Sequence, residues 1–435
     1  MKRVMQLRRI MPTRLLSVAV AFSTKGAAAG LQFVQSVVLG RYLGVEALGF
    51  YFFAVSVYRI AESAAPCGVT LSTVREIGAA QATDSWATIR RLARQSTLFC
   101  LAAGLAFAVV VWLSSGDIAR TFEGEVKAES AVRWMALAIA PGCGAVALAA
   151  VLRGLGKQSS ANILGSMVIP FVATLVFVLW THEQSYVGAV IAFIIAQFVA
   201  LSGLALFVTW VTKAKTGATE AGPTDAGHSL FRGAFPLWIV TVASLGNDSL
   251  GIVMLGLFGT PADVGIFGVA VRLAMPLSFL GASIQAVYEP KFAGYYRTAN
   301  YVELRKEFRS SLRHSFILAG TMLVAMAVLA EPLLLLFGPE FVQAKPAFLV
   351  ILLGTCTMAA FGPSGSLMTM THKGHYNAWV AIASLPLAAL LLYILVPIYG
   401  GLGAAVATCV ALTIRTLAQA WAAEVHLRQL FAGRD

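Results

Sequence analysis

Charged side chains recur inside segments that are long and apolar enough to cross a membrane. The first such segment carries Lys25 near its middle, and the next carries Arg59 and Glu62. Asp248 and Arg272 lie in two later apolar segments. A charge at the centre of a bilayer costs roughly 3 kcal/mol on insertion scales, so such residues mark a substrate or ion pathway by default. We therefore expect a polar site inside the membrane.

Uncharged polar residues accompany these charges at helical spacing. Lys25, Gln32 and Ser36 fall on one face of a helix, because they are separated by seven and then four positions. Asn247 and Asp248 belong to a second polar stripe further along the chain. We expect both stripes to face the interior of the protein.

The charged residues of this set are mostly cations. The cations are Lys25, Arg59, Arg272 and Arg415, and the anions are Glu62 and Asp248. A positive, hydrated site attracts an anion, and a guanidinium group binds two phosphate oxygens at once. The sequence thus predicts an anion-binding site. Two alternatives stay open: Glu62 and Asp248 form structural ion pairs with Arg59 and Arg272, or they bind a coupling proton or sodium ion.

Composition places the chain in a membrane. Its 435 residues are 58% hydrophobic and only 12% charged, with a mean hydropathy of +0.79. A soluble domain has about 25% charged residues. The apolar runs are continuous, which is typical of helices and not of a membrane barrel. The net charge of +12 falls mainly between the apolar runs, so we expect no nucleic-acid partner.

Twelve apolar segments are long enough to span a hydrocarbon core of about 30 Å. They are residues 15–40, 46–67, 93–114, 131–152, 160–181, 186–212, 233–258, 263–288, 313–337, 345–371, 375–398 and 401–424. With the N-terminus in the cytoplasm, most of the 32 lysines and arginines fall in cytoplasmic connections. The lysines and arginines of the outside connections are Arg41, Arg120, Lys127, Arg133 and Lys345. This asymmetry predicts twelve helices with both termini in the cytoplasm.

The chain repeats itself about half-way along. Residues 37–55, VVLGRYLGVEALGFYFFAV, resemble residues 253–271, VMLGLFGTPADVGIFGVAV, which lie 216 positions later. The same offset relates Lys157 to Lys373. A constant offset predicts two parallel six-helix halves, with a substrate site between them.

The halves are predicted to meet at a cytoplasmic linker, residues 213–230, which is rich in Gly, Thr and Ala. Residues 1–212 then form an N-terminal lobe and residues 231–435 a C-terminal lobe. Within the second lobe, residues 295–314 alternate aromatic and basic side chains at helical spacing. This pattern predicts one amphipathic helix on the inner membrane surface.

Motifs for catalysis are missing from the sequence, which has no P-loop, no G-x-S-x-G and no zinc motif. The five cysteines show no C-x-x-C spacing. We therefore predict a transporter and not an enzyme, with no metal centre and no cofactor beyond coupling to H⁺ or Na⁺.

The stretches VVLGRYLGVEALGFYFF and LRGLGKQSSANI, together with the two halves, resemble a known family. It is the oligosaccharide and polysaccharide (O-antigen type) flippase family of the multidrug/oligosaccharidyl-lipid/polysaccharide exporter superfamily. The resemblance implies an all-α integral membrane protein with a V-shaped two-lobe fold. It also implies alternating access that moves undecaprenyl-pyrophosphate-linked oligosaccharides to the periplasmic leaflet. Lys25, Arg59 and Arg272 occupy helices 1, 2 and 8, where the superfamily's lipid II flippases place cavity cations.

The resemblance further implies the bacterial inner membrane, membrane lipids as surroundings, and a polysaccharide polymerase and chain-length regulator as partners. The lipid II flippases usually have fourteen helices, so twelve favour an O-antigen, capsule or exopolysaccharide unit over a peptidoglycan precursor. Two other hypotheses are a multidrug and toxin extrusion antiporter, which should have an acidic cavity, and a non-transporting scaffold of a polysaccharide synthase complex.

Overall fold

The protein is helical wherever its structure is described. The computed structural model describes residues 2–120, 122, 124–180, 185–213, 238 and 249–432, with side chains from Ser23 to Phe431, and contains no β-strand there. The helices are α1 (Lys2–Ala64), α2 (Val69–Ala82), α3 (Trp86–Leu113), α4 (Ser115–Ala119), α5 (Glu125–Ala136), α6 (Ile139–Gly154), α7 (Gln158–Asn162), α8 (Val168–Trp180), α9 (Tyr186–Lys213), α10 (Ser249–Phe258), α11 (Pro261–Arg297), α12 (Tyr301–Val328), α13 (Ala330–Leu335), α14 (Lys345–Met370) and α15 (Gly374–Ala432). A π-helical turn, Ile163–Met167, joins α7 to α8, and a 3₁₀ turn, Pro339–Ala344, precedes α14.

Two of these helices are too long to be single spans. α1 has 63 residues and α15 has 59, so each would measure about 90 Å if straight, roughly three times the hydrocarbon thickness. Helical geometry breaks at Gly44 (φ 71°, ψ −179°) in α1 and at Gly400 (φ 54°, ψ −130°) in α15. Glycine adopts these angles without a Cβ clash. Both breaks lie between predicted spans, as the sequence requires.

The helix inventory is compatible with twelve spans. In the described part of the chain, eight helices are long and apolar enough to cross a membrane, or nine when α5 and α6, bent by 42°, count as one. α1 and α15 each supply two helical arms. The predicted span 233–258 lies mostly outside the described residues.

Large apolar side chains cover the outside of several helices. Leu113 on α3, Leu179 on α8, Leu206 on α9 and Val328 on α12 are 72–77% exposed. A water-soluble surface rarely carries such a density of exposed apolar residues. These faces therefore meet lipid tails, and the chain is a multi-pass membrane protein.

The chain forms two compact units, and their boundaries differ from the predicted division at the linker. Unit 1 comprises Met1–Leu39, Val57–Ile118 and Val126–Val242, and unit 2 comprises Gly40–Ser56, Ala119–Glu125 and Ala243–Asp435. Unit 2 thus includes two segments, Gly40–Ser56 and Ala119–Glu125, that the sequence assigned to the N-terminal lobe. The linker 213–230 lies almost entirely outside the described residues, so the predicted lobe boundaries stay a prediction.

Each unit has its own apolar core. In unit 1, α2, α3, α6 and α9 pack around a cluster that includes Ile77, Ile89, Leu152 and Leu204. In unit 2, one cluster joins α11, α12, α14 and α15. Burial of these side chains stabilises each unit's helix packing, roughly 2 kcal/mol for a fully buried leucine or isoleucine.

The predicted amphipathic helix at residues 295–314 is wrong. α11 ends at Arg297, and α12 begins at Tyr301 after Asn300, whose side chain accepts a hydrogen bond from the Glu303 backbone N–H. Leu304 and Phe308, which suggested a membrane-facing stripe, are buried in the core of unit 2. The spacing of Leu304 and Phe308 therefore reflects the packing of α12 against α11.

The two halves end corresponding helices in the same way. The backbone N–H of Lys157 bonds the carbonyl of Leu152 at 2.8 Å, and Lys373 bonds Met368 at 2.8 Å. The residue before each lysine has a positive φ, 70° at Gly156 and 62° at the corresponding histidine. This is the hydrogen bond of a Schellman C-cap. Each pair is 216 positions apart, which confirms the internal repeat.

The sequence predicted a constant offset between the halves, and this prediction is wrong. α6 and α14 end 216 positions apart, at Gly154 and Met370, whereas α3 and α12 are 215 apart over their whole lengths. Buried Phe177 on α8 likewise matches buried Leu392 on α15 at 215. The π-helical turn before α8 accounts for the change of the offset from 216 to 215 in this region, because such a turn accommodates one extra residue in the first half.

A reciprocal backbone contact lies within unit 2. A Cβ on Gly49 would overlap the carbonyl oxygen of Pro261, and a Cβ on Gly265 would overlap the carbonyl oxygen of Val45. Gly49 corresponds to Gly265, and Val45 to Pro261, at an offset of 216. The contact therefore has the self-complementary pattern of a two-fold interface. Small residues permit this close approach of helix backbones in membranes.

Candidate functional site

Two of the three predicted polar residues of the first span, Lys25 and Gln32, lie on the unburied side of α1. Lys25 is exposed and Gln32 is half-buried, whereas Ala28 between them is buried. Ser36 turns inward and donates its hydroxyl to the backbone oxygen of Gln32 at 2.8 Å. Lys25 therefore presents its ammonium group away from the core of unit 1.

The ion pair between Arg59 and Glu62, one of the alternatives left open by the sequence, does not form at salt-bridge distance. Glu62 accepts a hydrogen bond from the Tyr58 hydroxyl at 2.5 Å, and the thiol of Cys143 donates to the Glu62 backbone oxygen at 3.6 Å. The Arg59 side chain is exposed, and no acidic group of the described residues lies within 4.0 Å of it. Tyr58 lies one helical turn before Glu62, so its hydroxyl group, and not the guanidinium of Arg59, bonds the carboxylate. The Arg59 guanidinium is therefore exposed and not held by a carboxylate at salt-bridge distance in the described part of the chain.

Replacing Tyr58 by phenylalanine is expected to lower the stability of the protein. The change removes the hydrogen-bond donor from the half-buried carboxylate of Glu62, and an acceptor left without a partner costs about 1 kcal/mol, the lower end of the range for buried groups. Glu62→Gln keeps an oxygen that accepts the same hydrogen bond, so its effect should be smaller. Thermal unfolding of purified protein in detergent measures both, and a Tyr58→Phe protein as stable as wild type would contradict the assignment.

Arg272 is held inside unit 2 by an aromatic ring and a carbonyl group. Its Cζ lies 3.6 Å from the centre of the Phe52 ring, and its Nη1 donates to the Gly268 oxygen at 3.2 Å. A Cβ on Gly268 would overlap the same ring. The guanidinium stacked on an aromatic ring is a cation–π contact, worth about 0.5–2 kcal/mol. Asn247 and Asp248, its predicted neighbours, lie outside the described residues.

Arg415 lines a polar pocket inside unit 2. The pocket has a volume of about 420 Å³ and opens between α11, α14 and both arms of α15. Its polar lining consists of Ser278, Gln285, Glu289, Ser366, Thr369, Asn377, Arg415 and Gln419. Such a volume lies within the range of about 300–1,000 Å³ that is usual for small-molecule sites.

Of the polar residues that line this pocket, only Arg415 was predicted from the sequence. The Ser366 hydroxyl lies 2.8 Å from Glu289 Oε1 and 3.0 Å from Gln285 Oε1. Glu289 fell one residue beyond the predicted span 263–288 and was therefore treated as part of a connection. The spacing of Ser278, Gln285 and Glu289, seven and then four, repeats that of the stripe that begins at Lys25 and could have identified it.

Comparison with protein families assigns the chain to one of them. Residues 15–295 match the family described as polysaccharide biosynthesis protein. The chain belongs to this family. No curated protein sequence matches the chain.

Solved structures with the same fold are membrane transporters. An inward-facing multidrug resistance MATE family transporter of the MOP superfamily has a TM-score of 0.73 at 14% identity, covering 94% of this chain and 99% of its own. The lipid II flippase MurJ, in an inward closed conformation, has a TM-score of 0.73 at 14% identity, covering 94% and 87%. A MOP superfamily transporter from Pyrococcus furiosus, described as having a binding pocket of reverse polarity, has a TM-score of 0.64 at 14% identity, covering 95% and 96%.

These similarities define the kind of protein. The chain has the fold of these MOP superfamily transporters and belongs to the polysaccharide biosynthesis family. Its structural neighbours are transporters and flippases, not enzymes. The choice of substrate depends on the residues of this chain, because a shared fold alone does not identify a ligand.

Proposed function

We propose that the protein moves undecaprenyl-pyrophosphate-linked oligosaccharide repeat units across the bacterial inner membrane, from the cytoplasmic to the periplasmic leaflet, by alternating access. The observation that carries the proposal is the excess of cationic side chains within the apolar spans of a polysaccharide biosynthesis family member. A pyrophosphate-linked substrate requires cations at membrane depth. Its sugars require a polar route, while its polyprenyl chain remains soluble in the bilayer.

We assign the pyrophosphate to Lys25, Arg59 and Arg272. The exposure of Lys25 and Arg59 supports this assignment, because no carboxylate of the described residues lies within 4.0 Å of either charged group. Arginine adds a planar fork that binds two phosphate oxygens. Gln32, Glu62, Asn247 and Asp248 would then hydrate the route or carry a coupling H⁺ or Na⁺.

The product is used for O-antigen, capsule or exopolysaccharide synthesis, with a polymerase and a chain-length regulator as partners. Both termini lie in the cytoplasm, in agreement with the distribution of lysine and arginine. A reporter inserted after Arg305 should therefore report the cytoplasm, and an outside signal would reverse the orientation.

Transport is tested directly in a strain that lacks the protein. Its inverted membrane vesicles should retain the lipid-linked repeat unit on the leaflet where it is made, and adding back the wild-type gene should restore its transfer. The rival multidrug antiporter predicts the opposite pattern, with normal transfer of the repeat unit and increased sensitivity to cationic drugs. That result would overturn the proposal.

A further inference from the structure

The pocket of unit 2 has only part of its polar lining at the matching positions of the first half. Ser278 and Thr369 correspond to Glu62 and Arg153 at 216 positions, whereas most of the other polar positions become apolar.

Helix ends and burial show which residues of the two halves correspond. Residues of α14 and of the start of α15 lie 216 positions after their counterparts in the first half. Residues of the last part of α11 and of the second arm of α15 lie 215 positions after theirs. The residues that correspond to Gln285, Glu289, Ser366, Asn377, Arg415 and Gln419 are Thr70, Val74, Ala150, Ala161, Ala200 and Leu204. Five of the six are apolar.

The first half uses these positions to build its core. Ala150, Ala161, Ala200 and Leu204 are all at most 1% exposed, and Ala161 and Leu204 belong to the apolar cluster of unit 1. The same helix packing is therefore achieved with apolar side chains. Fold stability does not require the polar set in unit 2, because replacing buried charges by apolar residues is often neutral or stabilising.

Glycines also widen the pocket in the second half only. Gly281, Gly362 and Gly365 line it. The corresponding residues of the first half, at 216 positions, are Ala65, Val146 and Ala149. A Cβ on Gly362 would overlap the amide of Gln285, and a Cβ on Gly281 would lie 3.0 Å from the Cα of Ala359. Both the lining and the space of the pocket thus differ between otherwise matching halves.

We infer that this pocket binds the saccharide part of the substrate. Sugar hydroxyls donate and accept hydrogen bonds at once, and the pocket offers both kinds of group. The guanidinium of Arg415 donates, the carboxylate of Glu289 accepts, and the amides of Gln285 and Gln419 do either. No hydrogen bond to Gln419 is formed by the other described side chains, so its amide is available to a ligand.

The charged residues of the pocket favour a saccharide over two other kinds of ligand, a pyrophosphate and a metal or sodium ion. A pyrophosphate in this pocket would meet the carboxylate of Glu289, whereas a bound metal or sodium ion would meet the guanidinium of Arg415. One positive and one negative group suit a ligand rich in hydroxyl or amide groups better than either ion. The inference rests on the proposed function, since it names the part of the same substrate that this pocket recognises.

The test exchanges pocket residues for those of the first half. The triple variant Glu289→Val, Arg415→Ala and Gln419→Leu uses side chains that already pack in the matching unit. Two probes are added to purified protein in nanodiscs, bare undecaprenyl pyrophosphate and the lipid-linked repeat unit extracted from a strain that lacks the protein. We expect about a tenfold loss of affinity for the sugar-bearing lipid, the equivalent of one lost charge-assisted contact, and no change for the bare carrier.

The other outcomes overturn the assignment in distinguishable ways. An equal loss for both lipids would make the pocket a pyrophosphate site, and no loss for either would make it structural. Sodium-dependent stabilisation that disappears in the variant would make it a cation site. If the wild-type protein binds neither lipid, the proposed function itself fails. Gln419→Leu alone is used in the same assay should the triple variant not fold.

Discussion

Alanine at Gly49 is expected to destabilise the protein by about 3 kcal/mol, the upper part of the usual range for overpacking. The added Cβ would overlap the backbone oxygen of Pro261, which cannot move aside as a flexible side chain could. Relief requires separation of two helices over their contact. Gly265→Ala should have a similar cost, since its Cβ would overlap the Val45 oxygen.

The chain supplies matched controls for this experiment. Gly30 and Gly320 are also helical glycines, and an added Cβ at either meets no heavy atom within 4 Å. Alanine at these positions should leave stability unchanged or raise it by roughly 0.5–1 kcal/mol, because it favours the helix. Thermal unfolding of the four purified variants in one detergent compares them directly.

The double variant gives a sharper test of the reciprocal contact. One separation of the two helices would relieve both overlaps, so Gly49→Ala and Gly265→Ala together should cost little more than either alone. Strict additivity would mean that the two glycines lie in independent contacts. Single variants as stable as the Gly30→Ala control would contradict the close approach altogether.

The sequence predicted the features that depend on local composition and spacing. Apolar length located the spans, and the breaks at Gly44 and Gly400 fell between predicted pairs of them. The repeat was visible from residues 37–55 and 253–271 because glycines and small residues recur where backbones approach closely. These features follow from the periodicity and size of neighbouring residues.

Contacts that depend on competition between side chains could not be predicted in this way. Arg59 and Tyr58 lie on the same helix and are both within reach of Glu62. Only the packed structure shows that the Tyr58 hydroxyl forms the hydrogen bond. The stacking of Arg272 on Phe52 joins residues more than 200 positions apart. The saccharide pocket needs three helices and a comparison of burial between halves, which a sequence pattern does not contain.

Loss of surface polysaccharide is the expected result of neutralising the cationic residues. Arg59→Ala and Arg272→Ala each remove a group that we assign to the pyrophosphate. A charge-assisted contact contributes about 1.5–3 kcal/mol, so affinity should fall roughly ten- to a hundredfold. Lysine at either position keeps the charge but not the planar fork and should be milder. Lys25→Arg should be tolerated, whereas Lys25→Glu reverses the local field and should not be.

Complementation of a deletion strain measures the effect, with the amount of protein in the membrane checked by blot. The structure predicts a difference between the two arginines. Arg272→Ala also removes the contact with Phe52 and should lower thermal stability, whereas Arg59 is exposed and its loss should leave stability intact. Lys306→Ala is the matched control, because this exposed lysine pairs with Glu303 on the surface of α12. Normal polysaccharide from the double alanine variant, present at wild-type amounts, would show that neither arginine binds substrate.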